Sequence, residues 1–310
     1  MPSNSKWLED VRPEQPVSEA ARIAIATRSA TMVQCLSQAA KGWKEDNEYV
    51  HHLRTASRRT QAALELYALL LPLKRSARVQ KATKKLRKAG GNARDLDVFL
   101  QRIQKKSDPA LSSNEQEEVT RFLRGLRKQA QPKLEKAFVW AEKEKLAKQF
   151  DELCQRIRWR EAVAEESLAA MAPTLLEPLV VRFFHFSQQL TDAPESLHQL
   201  RIEGKNTRYA MELVEGGFPT DFREELYQAF EKVQSKLGKI NDHHTAIENL
   251  RKWQRKTAER KFPRFLAVLI EDEQRQLDEK SQAFHVWWTD QRVLELKQHF
   301  QHYLGNGTLS

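Results

Sequence analysis

The feature that most limits how this chain can fold is a repeat of itself. Shifted by 147 residues, Val50–Leu66 lies on Leu197–Leu213, and seven of the 17 pairs are identical: His51/His198, Leu53/Leu200, Arg54/Arg201, Thr60/Thr207, Ala63/Ala210, Glu65/Glu212 and Leu66/Leu213. Chance gives roughly one identity in such a window at average composition. The same shift, with no gap, places Arg58 on Lys205, Gly91 on Gly238, Asp95 on Asp242, Leu100 on Ile247 and Ile103 on Leu250. A chain with this period folds as two related units. Two such units are expected to meet about a pseudo-twofold axis, so that equivalent helices face each other or line a shared cleft.

The units are expected to be helical. Gly and Pro together number 21 of 310 residues, about 7% against roughly 12% in average chains. Apolar residues at 40% supply a core, and no β-alternation of useful length appears. Ser18 is expected to cap a first helix to about Lys41, followed by helices over about Asn47–Leu71 and Leu73–Ala89, the last stopped by Gly90-Gly91. A fourth begins near Ala93, and Asp108-Pro109 with Ser112-Ser113-Asn114 reads as a loop. Helix then runs from Glu115 toward Leu190, with breaks expected at Pro132, Pro173 and Pro178. Another covers Pro194–Val214, and Gly216-Gly217, Pro219, Gly238 and Pro263 punctuate the rest. The fold class is therefore all-α: two antiparallel bundles of about four helices each. The expected divisions are a tail at 1–17, a first bundle at 18–150, a second at 151–305 and a tail at 306–310.

Other classes are disfavoured. The longest apolar run, Leu66–Leu73, is too short to cross a membrane, and the N-terminus does not read as a secretory signal. Cys35 and Cys154 stand alone, which fits a reducing compartment and no structural zinc. The expected location is the cytoplasm.

The formal net charge is +10, and its placement is informative. Between Tyr49 and Arg94 stand twelve Lys and Arg against one acid, Glu65, a balance of +11. The other 264 residues carry 40 cations and 41 acids. Like charges three or four apart on a helix repel by about 0.2–0.5 kcal/mol per pair. A run that tolerates this repulsion gains something from an anionic partner.

At 100° per residue, Arg54 and Arg58 lie about 60° and 20° from His51, opposite Leu53, Ala56, Thr60, Ala63, Leu64 and Tyr67. His198, Arg201 and Lys205 repeat the arrangement, with Arg208 and Tyr209 beside them and Leu200, Thr207, Met211 and Val214 on the buried side. Positions i, i+3 and i+7 span about 10 Å of helix axis, which suits an extended anion such as a row of phosphates. Arg offers planar bidentate donors, Lys a compact charge, and neutral His one N–H.

The strings VHHLRTASRR (Val50–Arg59) and GGNARDLDVFLQRI, with LHQLRIEGKNTRYAMEL and LGKINDHHTAIENL, resemble the CHAD family, the conserved-histidine α-helical domain. The resemblance runs from about Ser18 to Tyr303. It rests on HxxRxxxR/K in both halves, on Lys205, Arg208, Tyr209 and Glu212, and on Arg94, Asp95, Asp97 and Val98. It implies two pseudo-twofold-related helical bundles, a basic central groove or pore, inorganic polyphosphate as partner, and association with polyphosphate granules. By position, the implied lining is His51, Arg54, Arg58 and Arg59, with His198, Arg201, Lys205 and Arg208. Lys74, Arg78, Lys81, Lys85, Lys88 and Arg94 in the first half, and Lys232, Lys236 and Lys239 in the second, extend this candidate binding set. Asn206 stands where Arg59 does, and Asn241 where Arg94 does. Asp221, Glu225, Gln228 and Glu231 occupy the positions of Lys74, Arg78, Lys81 and Lys84, so a lopsided groove is expected.

Other readings are weaker. A nucleic-acid binder wants aromatics between its cations, and Tyr209 is the one well placed. A metal phosphohydrolase wants matching ligands, yet Leu96 and Asp97 sit where His243 and His244 do, and Asp95 and Asp242 read better as groups that orient arginines or cap a helix. The ExExK motif of the triphosphatase fused to some family members is missing, since Glu142 and Glu144 are followed by Leu146. The expectation is a non-enzymatic polyphosphate-binding protein that requires no cofactor and no metal; polyanions such as nucleic acid are the alternative partner, and no membrane is involved.

Overall fold

Helix follows helix because little in the chain interrupts them. The computed structural model describes residues 5–105, 113–191, 193–256 and 263–305. Among these, the regular structure is helical, apart from one isolated bridge between Pro16 and Ser167. The loop expected over Asp108-Pro109 and Ser112, and the tail at 306–310, lie outside the described residues, while Ser113 and Asn114, expected to belong to that loop, open a helix instead. The first half holds α1 (Val17–Lys41), α2 (Glu48–Leu66), α3 (Leu73–Ala89), α4 (Gly91–Lys105), α5 (Ser113–Lys143) and α6 (Leu146–Cys154). The second holds α7 (Leu168–Gln188), α8 (Pro194–Val214), α9 (Tyr227–Lys256), α10 (Pro263–Trp287) and α11 (Asp290–Leu304). Each half thus carries six or five helices among the described residues, more than the four or so expected. Adding 147 to α2 (48–66) gives 195–213 against Pro194–Val214 for α8, and adding it to α6 (146–154) gives 293–301, inside α11. The division expected at 150/151 falls within α6.

The expected proline breaks do not occur. Pro132 lies inside α5, and Pro173 and Pro178 lie inside α7. A helical proline deprives the carbonyl four residues earlier of its N–H partner. Those carbonyls belong to Lys128, Ala169 and Thr174, all exposed, where water can take the place of the missing donor. The glycine-rich stop at Gly90-Gly91 does separate α3 from α4, whereas α9 runs unbroken through the equivalent Gly238. There the position of Gly90 is taken by Leu237, 1% exposed and anchored in the core.

Two apolar clusters hold the fold. The first joins Leu53, Leu64, Leu86 and Phe150 to Leu250 and Phe265 from the second half. The second gathers Phe183, Phe230, Phe284 and Phe300. Each such side chain contributes roughly 1.5–3 kcal/mol on burial. Residues 5–16, expected as part of a tail, are packed instead: Trp7, Leu8 and Val11 are buried. The buried Arg28 fixes this segment by donating to the carbonyls of Ser5 and Lys6 at 2.6 and 2.5 Å. The segments ahead of α1 and α7 also pair, through Val17 N–H to Glu166 O (3.1 Å) and Leu168 N–H to Gln15 O (2.8 Å). Ser18 does not cap α1. Pro16 holds the cap position, and the Ser18 N–H donates to Glu165 Oε1 at 2.7 Å.

Candidate functional site

The site is built where α2 meets α8. On α2 the expected buried face is the observed one, with Leu53, Ala56, Thr60, Ala63 and Leu64 all in the core. That burial turns His51, Arg54 and Arg58 the other way. On α8, buried Leu200, Thr207, Met211 and Val214 do the same for His198, Arg201 and Lys205. Both rows open on one cleft of about 640 Å³, completed by Arg94, Asp95, Phe99 and Arg102 from α4 and by Asn241, Asp242 and Asn249 from α9. Arg208 and Tyr209 close it from α8, the guanidinium lying 4.6 Å over the Tyr209 ring.

Seven Lys and Arg side chains therefore face two carboxylates across this cleft. Three of the seven are matched by carboxylates: Arg94 pairs with Glu48 (2.9 Å), Arg102 with Glu273 (3.0 Å), and Arg208 with Glu212. Arg58, Arg201 and Lys205 make no ion pair among the described residues, and Arg54 donates only to the Arg87 carbonyl at 3.4 Å. The Nε of Arg201 is buried with no hydrogen-bond partner there. Crowding of like charge leaves its mark. Burial, reinforced by Arg201, Arg58 and Arg208, pushes the Lys205 ammonium down to about 6. Burial lowers Arg54 and Arg201 as well, against the opposing pull of Asp95 and Asp242 respectively. Partial burial and the Arg94 charge hold His51 below the ordinary histidine value, so it is a neutral N–H donor at pH 7. His198 Nδ1 lies 3.0 Å from Asn241 Oδ1.

Lys205 and Arg208 also line a second, larger recess of about 1140 Å³, together with Lys6, Arg223 and Lys232. The two cavities share these side chains as a common wall. Asp95 is held above the usual carboxylate range by burial, against Arg54, and hydrogen-bonds Asn249. No group of three or more His, Cys, Asp or Glu placed to hold a metal ion occurs among the described residues.

Of the residues singled out from sequence, the cleft brings together His51, Arg54, Arg58, Arg94, His198, Arg201, Lys205 and Arg208. Arg59 lies elsewhere: its helical angle is about 100° from that of Arg58, and its Nε donates to the buried Glu212 at 2.9 Å. Glu212 also accepts from Arg208 and from the Tyr227 hydroxyl (2.9 Å), so it clamps α2, α8 and α9 together. Lys74, Arg78, Lys81, Lys85 and Lys88 are exposed on α3, outside the cleft, because Ser76, Val79, Ala82, Thr83 and Leu86 face the core. Lys232 faces the second recess, Lys236 lies 4.7 Å over Trp287, and Lys239 is exposed. The lopsidedness expected of the groove is thus slight in the cleft, with four cations from the first half and three from the second. It belongs to the outer face of α3. Arg102 was missing from the sequence set; its equivalent at 102 + 147 is Asn249, which also lines the cleft, and that pairing was the available signal.

Among the described residues, no helix is long and apolar enough to cross a membrane. No curated protein matches the chain. Among solved structures, the crystal structure of the CHAD domain from the plant Ricinus communis is similar, with a TM-score of 0.66 and 19% identity, covering 97% of this chain and 96% of that one. PptA from Streptomyces chartreusis is also similar, with a TM-score of 0.64 and 15% identity over 88% of this chain and 99% of that one. At these identities the likeness is one of fold. The family model for the CHAD domain matches residues 29–251, which contain α2, α3, α4, α8 and the cleft-lining part of α9, and the chain belongs to the CHAD domain family.

Proposed function

We propose that this chain binds inorganic polyphosphate in the cleft between α2 and α8, as a binding module that performs no reaction on it. The observation that carries the reading is the convergence of Arg54, Arg58, Arg201 and Lys205, none of them paired with a carboxylate, on one solvent-reachable space. Buried cationic groups without a contacting carboxylate are costly to keep charged, and a string of phosphates offsets that cost at regular intervals. Arg forks hold two oxygens of a phosphate; Lys205 and His51 add single donors, while the His198 Nδ1–H is already directed at Asn241 Oδ1. Membership of a family associated with polyphosphate binding supports the same ligand, and association with polyphosphate granules follows from it.

Nucleic acid fits less well. The aromatic side chains lining the cleft are Phe99 and Tyr209, 3% and 6% exposed, and Tyr209 is already covered by Arg208. Neither offers a face for base stacking. The test is a competition: labelled long-chain polyphosphate is bound at rising salt, challenged with single-stranded DNA of equal charge, and phosphate release is followed with and without divalent metal. Tight binding that DNA displaces poorly, with no phosphate released, is the expected result. Equal competition by DNA, or release that Asp242→Ala abolishes, overturns the reading.

A further inference from the structure

The outer face of α3 carries cations that the cleft does not use. With Lys81 placed at 0°, Lys74, Arg78, Lys84, Lys85 and Lys88 all fall within about 60° on either side. The helix Leu73–Ala89 contains no acid. Lys74, Lys81, Lys84 and Lys88 are exposed and make no ion pair among the described residues. Arg78 meets Glu144 at 3.5 Å, and Lys85 lies 3.5 Å over Trp140. The row extends about 21 Å, from Lys74 to Lys88, at 1.5 Å per residue.

Its C-terminal end abuts the cleft. The Arg54 guanidinium, which lines the cleft, donates to the Arg87 carbonyl, and a Cβ added at Gly91 would sit 3.2 Å from Arg54 Nη1. The Arg87 side chain, half-buried and about 120° around the helix from Lys81, is pushed down by burial and by Arg58 from the cleft wall, against the pull of the Glu65 carboxylate. Cationic side chains therefore continue from the cleft, through Arg54 and Arg87, onto the surface, with Glu65 the carboxylate that acts on Arg87 at the junction.

Resting on the polyphosphate reading, we infer that α3 is a second segment of the polymer track: a chain too long for the cleft leaves it past Arg54 and Arg87 and runs along the lysines toward Lys74. The cleft then sets the affinity for short chains, and α3 adds a preference for long ones. Each phosphate contact on this open face acts by counterion release, so its contribution is salt-sensitive and accumulates with length.

The experiment compares linear pentaphosphate with long-chain polyphosphate on the full chain and on two variants. Lys81→Gln/Lys84→Gln/Lys88→Gln changes only exposed side chains and relieves like-charge repulsion, so it folds; Arg54→Ala/Arg201→Ala empties the cleft of two donors. The expected result for the α3 variant is pentaphosphate binding unchanged within about twofold, a loss of about tenfold or more for the long chain, and a log K against log salt slope smaller by about two for the long chain alone. Unchanged long-chain affinity, or equal loss for both ligands, overturns the inference. Loss of single-stranded DNA binding with the long-chain advantage intact overturns it too, and assigns the face to nucleic acid. Failure of the cleft reading is separately visible: there Arg54→Ala/Arg201→Ala leaves pentaphosphate binding unaltered, and the track, which begins in the cleft, falls with it.

Discussion

Replacing Lys205 by Met separates the cost of the cleft from its use. The ammonium is buried beside Arg201, Arg58 and Arg208, which brings its pKa from 10.5 down to about 6. The folded pKa is the lower one, so between pH 6 and 10.5 the unfolded chain holds the extra proton and stability rises with pH across that window. Below pH 6 the full penalty applies, on the order of 6 kcal/mol; at pH 8 it is on the order of 3 kcal/mol. Methionine fills similar space without a charge, so the ligand-free variant should melt higher, by roughly 2 °C for each kcal/mol recovered. Bound phosphates reverse the balance by restoring the charged form. Calorimetry of long-chain polyphosphate binding at pH 8, repeated in buffers of different ionisation enthalpy, should show the natural chain taking up close to one proton more than the variant. Polyphosphate affinity should meanwhile fall. Equal proton uptake by both proteins refutes the argument, because it means that Lys205 is already charged in the empty cleft or stays neutral when the cleft is filled.

Three further outcomes follow from the same geometry. Arg54→Ala/Arg201→Ala should lower the slope of log K against log salt for polyphosphate by about 1.4, at roughly 0.7 per lost cation; an unchanged slope in a salt titration places the polymer elsewhere. Arg54→Ala/Arg58→Ala should weaken binding more than Arg201→Ala/Lys205→Ala, since the first pair removes two permanent charges and the second removes one permanent charge and one that the ligand must first restore; equal losses by titration contradict this. Glu212→Gln leaves Arg59, Arg208 and Tyr227 without the carboxylate they share, and urea unfolding should show a loss of about 3–5 kcal/mol, whereas Arg59→Gln should leave polyphosphate affinity within about twofold.

The helices were legible where one face decides everything. Leu73–Ala89 was read to the residue because Pro72 and Gly90 bracket it, and the apolar stripes of α2 and α8 fixed which way their cations point. Prolines misled because the cost of a helical proline depends on where its orphaned carbonyl lies, and the exposure of Lys128, Ala169 and Thr174 is a tertiary property. Gly238 misled for the converse reason, since a single glycine beside a buried Leu237 does not bend a helix that the core holds straight.

Charge is where sequence reasoning divides most sharply. Counting cations located the basic segment correctly and yet merged three environments: cations facing the cleft, an arginine clamped by Glu212, and lysines on the far side of α3. Only the angular position along each helix separates them, and Arg59 shows the limit even of that. Its partner Glu212 stands 153 residues away and comes near only because α2 packs on α8. Of the cations on these two helices, those at the repeated angles of both copies, Arg54 with Arg201 and Arg58 with Lys205, reached the cleft without a carboxylate partner. Arg59, which has Asn206 as its counterpart, did not. On α2 and α8 a cation kept at one angle in both halves faces the space they share; a cation present in one half, Arg59 or Arg208, is held by Glu212.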